Sequence, residues 1–296
     1  MSVLVTGATG FIGSRLVELL QLKNLEIKTI LRNSNNLFPN SFLVDLSKEA
    51  VPINYLEDIT SIYHLAGHAH DTSGADIDMY SKLNVDATVS LASGAIKAGV
   101  KKFIYISSTK ANAFEDTDLR GKHDDVYGYT KRKAENELIH LSKDSSMEII
   151  IVRPSLVYGP KVKGNLRSML RAIQSGWFPP IPETGNSKSM IHVDDLVLFL
   201  HSLLQTNQNQ GDIYTVTDGC QYSSADIYEN LCKAMNVKIP KIKTPLFLFR
   251  LIAKSHPKLR KKIDKIFESD QFSNKNILRT GFSPSLTLKD LNENLF

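Results

Sequence analysis

The chain has 296 residues, of which 42% are hydrophobic and 23% are charged, so it can bury a large core. It has only two cysteines, Cys220 and Cys232, which excludes a disulfide framework, and its net charge of +5 is mild. The first residues lead directly into a strand-like segment, and no apolar run has the length of a membrane span. We therefore expect a soluble, cytoplasmic protein.

The chain alternates apolar segments of strand length with longer amphipathic segments. Strands are predicted at "SVLVTG", "IKTILR", "SIYHLAG", "FIYISS" and "EIIIVRP", and helices at "FIGSRLVELLQLK", "DMYSKLNVDATVSLASGAIKAG" and "DVYGYTKRKAENELIHLSK". This alternation is typical of a Rossmann-type α/β fold with a doubly wound parallel sheet. We expect a dinucleotide-binding domain at residues 1–158, with a return segment near 190–206, and a smaller α/β substrate-binding region at 159–296.

The stretch "VTGATGFIG" follows the first predicted strand and opens the first helix. Gly7 permits a tight turn, Gly10 lets the backbone approach a pyrophosphate, and Gly13 lets the helix pack closely on the sheet. A simple tight turn is the alternative, which the position after a buried strand disfavours. The cofactor-binding residues predicted in this turn are Gly7, Thr9, Gly10, Phe11, Ile12 and Gly13.

Arg32 ends the second strand, where folds that prefer NAD usually place a ribose-binding acid. A guanidinium can pair with the extra phosphate of NADP, and we expect no acid nearby to repel that phosphate. Arg15 could add charge from the first helix, whereas stacking of Arg32 on adenine is the alternative. We predict NADP(H) as the preferred cofactor and NAD(H) as the second choice. Asp45 should reach the adenine amino group, with Leu46 against the ring.

The helix "DVYGYTKRKAE" carries Tyr127 and Lys131 four residues apart, so both side chains project from one face. A nearby ammonium should lower the pKa of the tyrosine and make it an acid or base near neutral pH. Ser108 lies at the end of the strand "FIYISST", where its hydroxyl can hydrogen-bond a carbonyl oxygen during hydride transfer. Thr109 is the reserve candidate for that role.

Together with "HLAG", "NVDAT", "RPSLVYGP" and "IHVDDL", these motifs resemble the extended short-chain dehydrogenase/reductase family of nucleotide-sugar epimerases, dehydratases and ketoreductases. The resemblance runs along nearly the whole chain. It implies cofactor contacts from Leu65, Ala66 and Gly67, a bracing role for Asn84, and contacts to the nicotinamide from Pro154 to Val157. It also implies substrate contacts from Ser108, Thr109, Asn165 and Lys188, and His70 is a further candidate for the substrate site.

His64, His68 and His70 invite a metal interpretation, which we disfavour because no acid or cysteine recurs at a suitable spacing. Lys188 stands where relatives more often have arginine, which makes its role less secure. Family members often form dimers, so we expect a homodimer.

The resemblance also bears on the reaction. Family dehydratases follow the catalytic hydroxyl with an Asp-Glu pair, and Lys110 and Ala111 stand there instead. Arg32 favours NADPH-dependent reduction of the C4 ketone of a UDP-4-keto-6-deoxy-N-acetylhexosamine, since several stretches resemble bacterial reductases of surface-polysaccharide and O-antigen precursor synthesis. An NAD-dependent UDP-sugar 4-epimerase is the alternative, and a redox sensor without catalysis is disfavoured because the serine, tyrosine and lysine are all present.

Positive charge is concentrated near the C-terminus. Residues 238–267 contain ten lysine and arginine side chains and one acid, Asp264. Nucleic-acid binding is disfavoured because no recognition module or aromatic stacking pattern accompanies this charge. A solvated basic face is the simpler interpretation, and weak association with an acidic membrane surface is the alternative, because "PLFLFRLIAK" interleaves apolar and cationic residues.

Overall fold

The computed structural model describes residues 1–34, 38, 40–68, 77–114, 125–206 and 211–291. Contacts divide the chain into two compact units. The first unit comprises Met1–Pro154 and Val197–Thr215, and the second comprises Ser155–Leu196 and Val216–Phe296. The chain therefore passes from the first unit to the second, returns to the first, and ends in the second.

The described residues form ten strands and ten α-helices. The strands are β1 Ser2–Thr6, β2 Glu26–Leu31, β3 Ser41–Leu43, β4 Ser61–His64, β5 Lys102–Ile106, β6 Glu148–Pro154, β7 Leu156–Tyr158, β8 Lys188–His192, β9 Ile213–Val216 and β10 Gln221–Tyr222. The α-helices are α1 Phe11–Leu22, α2 Ile77–Ser81, α3 Ala87–Lys97, α4 Val126–Lys143, α5 Gly164–Gln174, α6 Val193–Ser202, α7 Ser224–Ala234, α8 Leu246–Ser255, α9 Pro257–Phe267 and α10 Lys275–Leu278. Across these ranges, no helix combines the length and apolarity needed to cross a membrane.

The main sheet has seven strands in the order β3-β2-β1-β4-β5-β6-β9. Strand β1 pairs in parallel with β2 on one side and with β4 on the other, so the strand order reverses at β1. The pairs β2–β3, β4–β5 and β5–β6 are also parallel. The predicted Rossmann-type fold is confirmed, and its ligands are expected beyond the carboxyl ends of the strands beside β1.

The central strands are buried on both faces, which explains their continuous apolar sequences. Ile149, Ile150 and Ile151 of β6 are completely buried. Helix α1 presents Leu16 and Leu20, four residues apart, to the same core. The sheet and its helices thus form a rigid support for the loops that follow the strands.

Helices α2 and α3 are joined by a π-helical turn, Lys82–Asp86. This turn buries Asn84, whose polar side chain must find partners inside the protein. Short π segments inside α-helices are often found at functional sites. Asn84 and the side chains around it are therefore candidates for a functional site.

The second unit contains a small sheet in the order β10-β8-β7, in which β8 is antiparallel to β10 and parallel to β7. Ser223 and Asp226 form a capping box at the start of α7. The backbone amides of Ser285 and Leu286, near the C-terminus, donate hydrogen bonds to the buried side chain of Asp195, at 2.9 and 2.7 Å. These bonds hold the C-terminal segment within the second unit.

Candidate active site

The glycine turn between β1 and α1 has no space for a side chain at Gly7 or at Gly13. Gly7 has a φ of +72°, and a Cβ atom there would lie 2.7 Å from the backbone nitrogen of Ala66. A Cβ atom on Gly13 would lie 2.1 Å from the carbonyl oxygen of Gly7, so the helix can pack this closely only with glycine. Helix α1 begins at Phe11 with no acidic residue in its first turn, which leaves its N-terminal amides suited to an anion. The turn therefore fits a dinucleotide pyrophosphate.

Three further residues predicted to bind the cofactor lie in this turn: Thr9 is exposed, and Phe11 and Ile12 are half-buried. The segment after β4 lies against the turn, because the amide of Leu65 donates to the carbonyl of Thr6 at 3.2 Å and the amide of Ala66 donates to the Thr6 hydroxyl at 3.1 Å. The structure thus brings together two segments that were predicted to bind the cofactor and that are about sixty residues apart in the chain.

Arg32 follows β2, and its side chain is 65% exposed. Its Nε lies 3.8 Å from Oδ1 of Asp45, so the prediction that no acid lies near this guanidinium is wrong. Neighbouring parallel strands β2 and β3 end at the same edge of the sheet, and this brings the two residues together. Such an exposed pair is weak and leaves the guanidinium open to solvent. Arg15 forms a closer pair with Glu18, at 2.7 Å, and is not free for a cofactor phosphate.

Asp45 is held by its own loop. Its Oδ1 accepts hydrogen bonds from the hydroxyl of Ser47 at 2.6 Å and from the Ser47 amide at 3.1 Å. These bonds, helped by the charge of Arg32, lower the pKa of Asp45, although burial opposes them. Leu46 is half-buried beside it. Binding of adenine by Asp45 and Leu46 stays a prediction.

The proposed catalytic side chains Ser108, Tyr127 and Lys131 come together at the carboxyl end of β5. Lys131 donates from Nζ to the carbonyl of Ile106 at 2.8 Å, and its ammonium lies 4.6 Å from the ring centre of Tyr105. The Ser108 side chain lies close enough to Tyr127 to favour the ionised form of the phenol. Asp125 begins α4 by accepting a hydrogen bond from the Gly128 amide at 3.0 Å, which fixes the helix turn that carries Tyr127.

Burial controls the protonation of this group. Burial raises the pKa of Tyr127 to about 12, and the nearby Ser108 side chain only partly opposes this rise. The sequence-based prediction of a lowered tyrosine pKa is therefore wrong, because loss of hydration on burial is the largest effect on Tyr127. Burial also lowers the pKa of Lys131 to about 8, against the opposing charge of Glu135. At neutral pH, Tyr127 holds its proton and can donate it.

A buried ionic network beneath these residues was not predicted. Glu135 accepts from Nε and Nη2 of Arg153 at 2.9 and 2.6 Å, and from the hydroxyl of Ser107 at 2.5 Å. Arg132 adds a contact at 3.2 Å, and Arg153 also donates to Asn112. The sequence signal was the position of Glu135, one helical turn after Lys131. This network ties α4 to the ends of β5 and β6.

A second network links the glycine turn to α4. The Thr6 hydroxyl lies 2.7 Å from Nδ1 of His64, and His64 Nε2 lies 2.9 Å from the Thr88 hydroxyl. Because the Thr88 hydroxyl donates its proton to the carbonyl of Asn84, it accepts from Nε2, so the neutral His64 carries its proton on Nε2 and accepts from the Thr6 hydroxyl at Nδ1. Burial, with the charge of Lys131, lowers the pKa of His64 to about 3. His64 is thus a neutral structural side chain.

The network continues through Asn84. The Thr88 hydroxyl donates to the carbonyl of Asn84 at 2.9 Å, and the Asn84 amide donates to the Thr130 hydroxyl at 3.0 Å. Asn84 also accepts from the amide of His68 at 2.7 Å. A Cβ atom on Gly67 would lie 3.0 Å from Asn84 Oδ1 and 3.3 Å from Lys131 Nζ, so this turn closely approaches the lysine.

The structure gives the position and exposure of the remaining predicted residues. Thr109 is buried at the start of a 3-10 helix, and Pro154 is buried at the end of β6. Val157 is half-buried in β7, and Asn165 is exposed in the first turn of α5. Their predicted roles in binding stay predictions. His70 lies outside the described residues.

Lys188 has partners that the sequence did not indicate. Its Nζ donates to the carbonyls of Lys265 and Glu268, at 3.0 and 2.6 Å, around the end of α9. An ammonium at this position stabilises the C-terminal end of a helix. The predicted contact between Lys188 and a substrate diphosphate stays a prediction, and it would compete with these bonds.

Comparisons with known proteins identify the family of this chain. Residues 3–217 match the model of the NAD dependent epimerase/dehydratase family. A UDP-glucose 4-epimerase from Vibrio cholerae is 33% identical over 269 residues, which cover 86% of this chain and 81% of the relative. An N-acetyl-α-D-glucosaminyl-diphospho-ditrans,octacis-undecaprenol 4-epimerase from Escherichia coli O157:H7 is 24% identical, with coverage of 97% and 92%.

Solved structures show the same fold. The complex of Bacillus cereus UDP-glucuronic acid 4-epimerase with UDP-glucuronic acid and NAD has a TM-score of 0.77 and 21% identity, and the match covers 100% of this chain and 98% of that one. MoeE5 in complex with UDP-glucose and NAD also has a TM-score of 0.77, with 20% identity and coverage of 100% and 97%. The resemblance inferred from the motifs is confirmed: the chain belongs to the NAD-dependent epimerase/dehydratase family, within the extended short-chain dehydrogenases/reductases.

Proposed function

We propose that this protein transfers hydride at C4 of a UDP-linked hexose, and that 4-epimerisation is its reaction. The observation that carries hydride transfer is the group formed at the carboxyl end of β5 by the half-buried Ser108 and Tyr127 and the buried Lys131. The choice of sugar carbon and nucleotide rests on the Vibrio cholerae UDP-glucose 4-epimerase, which matches most of both chains.

The protein's part in this reaction is proton transfer and orientation. Bound nicotinamide dinucleotide would accept and return the hydride. Tyr127 exchanges the proton of the C4 oxygen, and the Ser108 hydroxyl hydrogen-bonds the same oxygen. Lys131 orients the cofactor ribose and sets the charge beside Tyr127. The glycine turn holds the pyrophosphate, and the segment from Leu65 to Gly67 lines the cofactor.

We also assign residues to other parts of the cofactor and the substrate. We assign Arg32, Asp45 and Leu46 to the adenosine, and Pro154 and Val157 to the nicotinamide. We assign Asn165 to the substrate diphosphate. We also propose that the protein forms a homodimer.

A second candidate is NADPH-dependent reduction of the C4 ketone of a UDP-4-keto-6-deoxy-N-acetylhexosamine, as a step in surface-polysaccharide precursor synthesis. Two observations favour it. The exposed Arg32 guanidinium suits the additional phosphate of NADP, and Tyr127 keeps its proton at neutral pH, as a proton donor to a ketone requires. A reductase must also exchange its cofactor in every cycle, which a weakly held adenosine end would permit.

One experiment separates the two candidates. The purified protein is incubated with UDP-glucose and UDP-N-acetylglucosamine without reductant, and separately with NADPH and the UDP-4-keto sugar. Formation of the C4 epimer without added cofactor, together with copurified NAD, supports the epimerase. NADPH oxidation that depends on the keto sugar, without any epimer formed, would replace it with the reductase, and activity in neither assay would refute C4 hydride transfer on these sugars.

A further inference from the structure

Helix α8 in the second unit exposes an unusually large apolar face. Seven of its ten residues are apolar, yet only Phe249 and Ala253 are buried. Phe247 and Leu251 are 64% and 57% exposed, and the neighbouring Leu248 and Ile252 are also exposed. A helix that is apolar on all sides normally has a partner on each side.

Packing against α9 determines which face of α8 points outward. The ring of Phe249 meets the ring of Phe267 edge to face, with 5.2 Å between their centres. Phe249 and Ala253 are four residues apart and form one buried stripe. Phe247 and Leu251 form a second stripe with the same spacing on the opposite side. The outward face is therefore fixed by packing within the second unit.

Cationic side chains border this outward face. Arg250 and Lys254 each follow an exposed apolar residue by three positions, so they lie beside Phe247 and Leu251 on the helix surface. In α9, Lys262 is exposed as well. These three cations make no ion pair with any residue in the part of the chain that the structure describes. Their charge is thus available to an external partner.

The charge of the whole chain points to an anionic partner. Residues 238–267 have ten basic side chains and one acidic side chain, whereas the whole chain has 36 and 31, so the other residues have 26 and 30. A second copy would bring the same positive segment to this face, so self-association is opposed by repulsion. Nucleic acid would use the cations but would leave the exposed leucine and isoleucine side chains without a favourable environment.

We propose that α8 and α9 dock on the surface of an anionic phospholipid bilayer, with Phe247, Leu248, Leu251 and Ile252 inserted below the headgroups. Arg250, Lys254 and Lys262 contact the phosphates. A ten-residue helix is about 15 Å long, half the roughly 30 Å thickness of the hydrocarbon core, so α8 lies in the interface and does not span it. This inference uses no residue of the active site and does not depend on the proposed reaction.

The test is cosedimentation of the full-length protein with vesicles of phosphatidylglycerol and phosphatidylcholine in equal parts, at about 0.1 M salt. The wild type is expected to bind these vesicles and not vesicles of phosphatidylcholine alone. The triple variant Arg250→Gln, Lys254→Gln, Lys262→Gln should bind about 100-fold more weakly, because each cation near an anionic surface contributes about fivefold. Phe247→Ser with Leu251→Ser tests the apolar contribution and should reduce binding at least about tenfold.

Control variants remove the same charge, or one exposed leucine, elsewhere on the protein. Lys97→Gln, Lys101→Gln and Lys143→Gln neutralise three exposed lysines of the first unit, and Leu22→Ser removes an exposed leucine. Both controls should bind vesicles as the wild type does, and all variants should keep its thermal midpoint. The proposal is overturned if the wild type does not bind anionic vesicles, if the controls weaken binding as strongly, if Phe247→Ser with Leu251→Ser dissociates a stable dimer, or if an oligonucleotide displaces the vesicles.

Discussion

The end of the first unit that we propose for catalysis and the end that we propose for adenosine hold their charged side chains in opposite ways. Beneath the catalytic residues, the side chains of Glu135 and Arg153 are 0% and 4% exposed and share two close hydrogen bonds. At the other end, the Arg32 side chain is 65% exposed and has only a distant acid, Asp45. Buried charges lose their hydration and need fixed partners, whereas exposed charges remain hydrated. Substitutions at the first end are therefore expected to have large effects, and substitutions at the second end small ones.

The largest effect is expected at the catalytic end. Tyr127→Phe removes the proton donor and should lower turnover by about 10⁴-fold, since general acid–base catalysis contributes up to about that factor. Affinity for the dinucleotide should stay within about threefold, because the ring remains. Turnover is measured in the epimerase or the reductase assay, depending on which of the two the wild type is active in. Cofactor affinity is measured by titration. Tyr129→Phe, two residues along the same helix, is the control, and equal loss of activity in both variants would contradict the assignment.

The buried network should matter for stability as much as for catalysis. Glu135→Ala leaves Arg153 as an uncompensated buried charge and should lower the free energy of unfolding by about 3–5 kcal/mol. Urea denaturation gives this value. Glu137→Ala changes an exposed glutamate on the same helix and should cost less than about 0.5 kcal/mol. Similar losses in the two variants would show that helix propensity, not the ionic network, controls the result.

The lowered pKa of Lys131 makes a prediction about pH. Its pKa falls from 10.5 to about 8 in the folded protein, so the unfolded chain binds more protons between these values and stability rises with pH across that window. Relative to Lys131→Met, the wild type should gain about 2–3 kcal/mol between pH 8 and pH 10. Denaturation of both proteins at several pH values measures this gain. A difference that does not change with pH would show that the ammonium is not desolvated.

The smallest effect is expected at the adenosine end. Arg32→Ser should weaken NADPH binding about tenfold and leave NADH binding nearly unchanged, because an exposed ion pair with a phosphate contributes little more than 1 kcal/mol. Titration of both cofactors gives the ratio. Arg15→Gln is the matched control, since Arg15 is already paired with Glu18. If Arg32→Ser weakens both cofactors equally, the guanidinium stacks on adenine and does not select the phosphate.

Motifs with a local physical basis were predicted well. The strands β1, β2, β4, β5 and β6 and the helices α1 and α4 lie where the apolar pattern placed them. The glycine turn follows from backbone geometry, since a side chain at Gly7 or Gly13 would collide with backbone. Tyr127 and Lys131 share a helix face because they are one turn apart. In each case the cause lies within a few residues of sequence.

Contacts across the fold were not predicted. The approach of Asp45 to Arg32 depends on β2 and β3 being neighbours, and the bonds from Lys188 to the end of α9 join residues about eighty positions apart. The series of hydrogen bonds from Thr6 through His64 to Thr88 similarly joins three separate segments of the polypeptide. A sequence pattern predicts on which face of a helix or strand a side chain lies, but it does not predict which distant residue that side chain contacts.

The sequence by itself determined the fold class, the glycine turn and the shared helix face of Tyr127 and Lys131, because these depend on periodicity, on backbone sterics and on spacing along a helix. Only the tertiary structure decided the proton states of Tyr127 and Lys131, since burial sets the cost of charging a side chain. It also decided which face of α8 is exposed, because Phe249 and Ala253 become buried only when α9 packs against them.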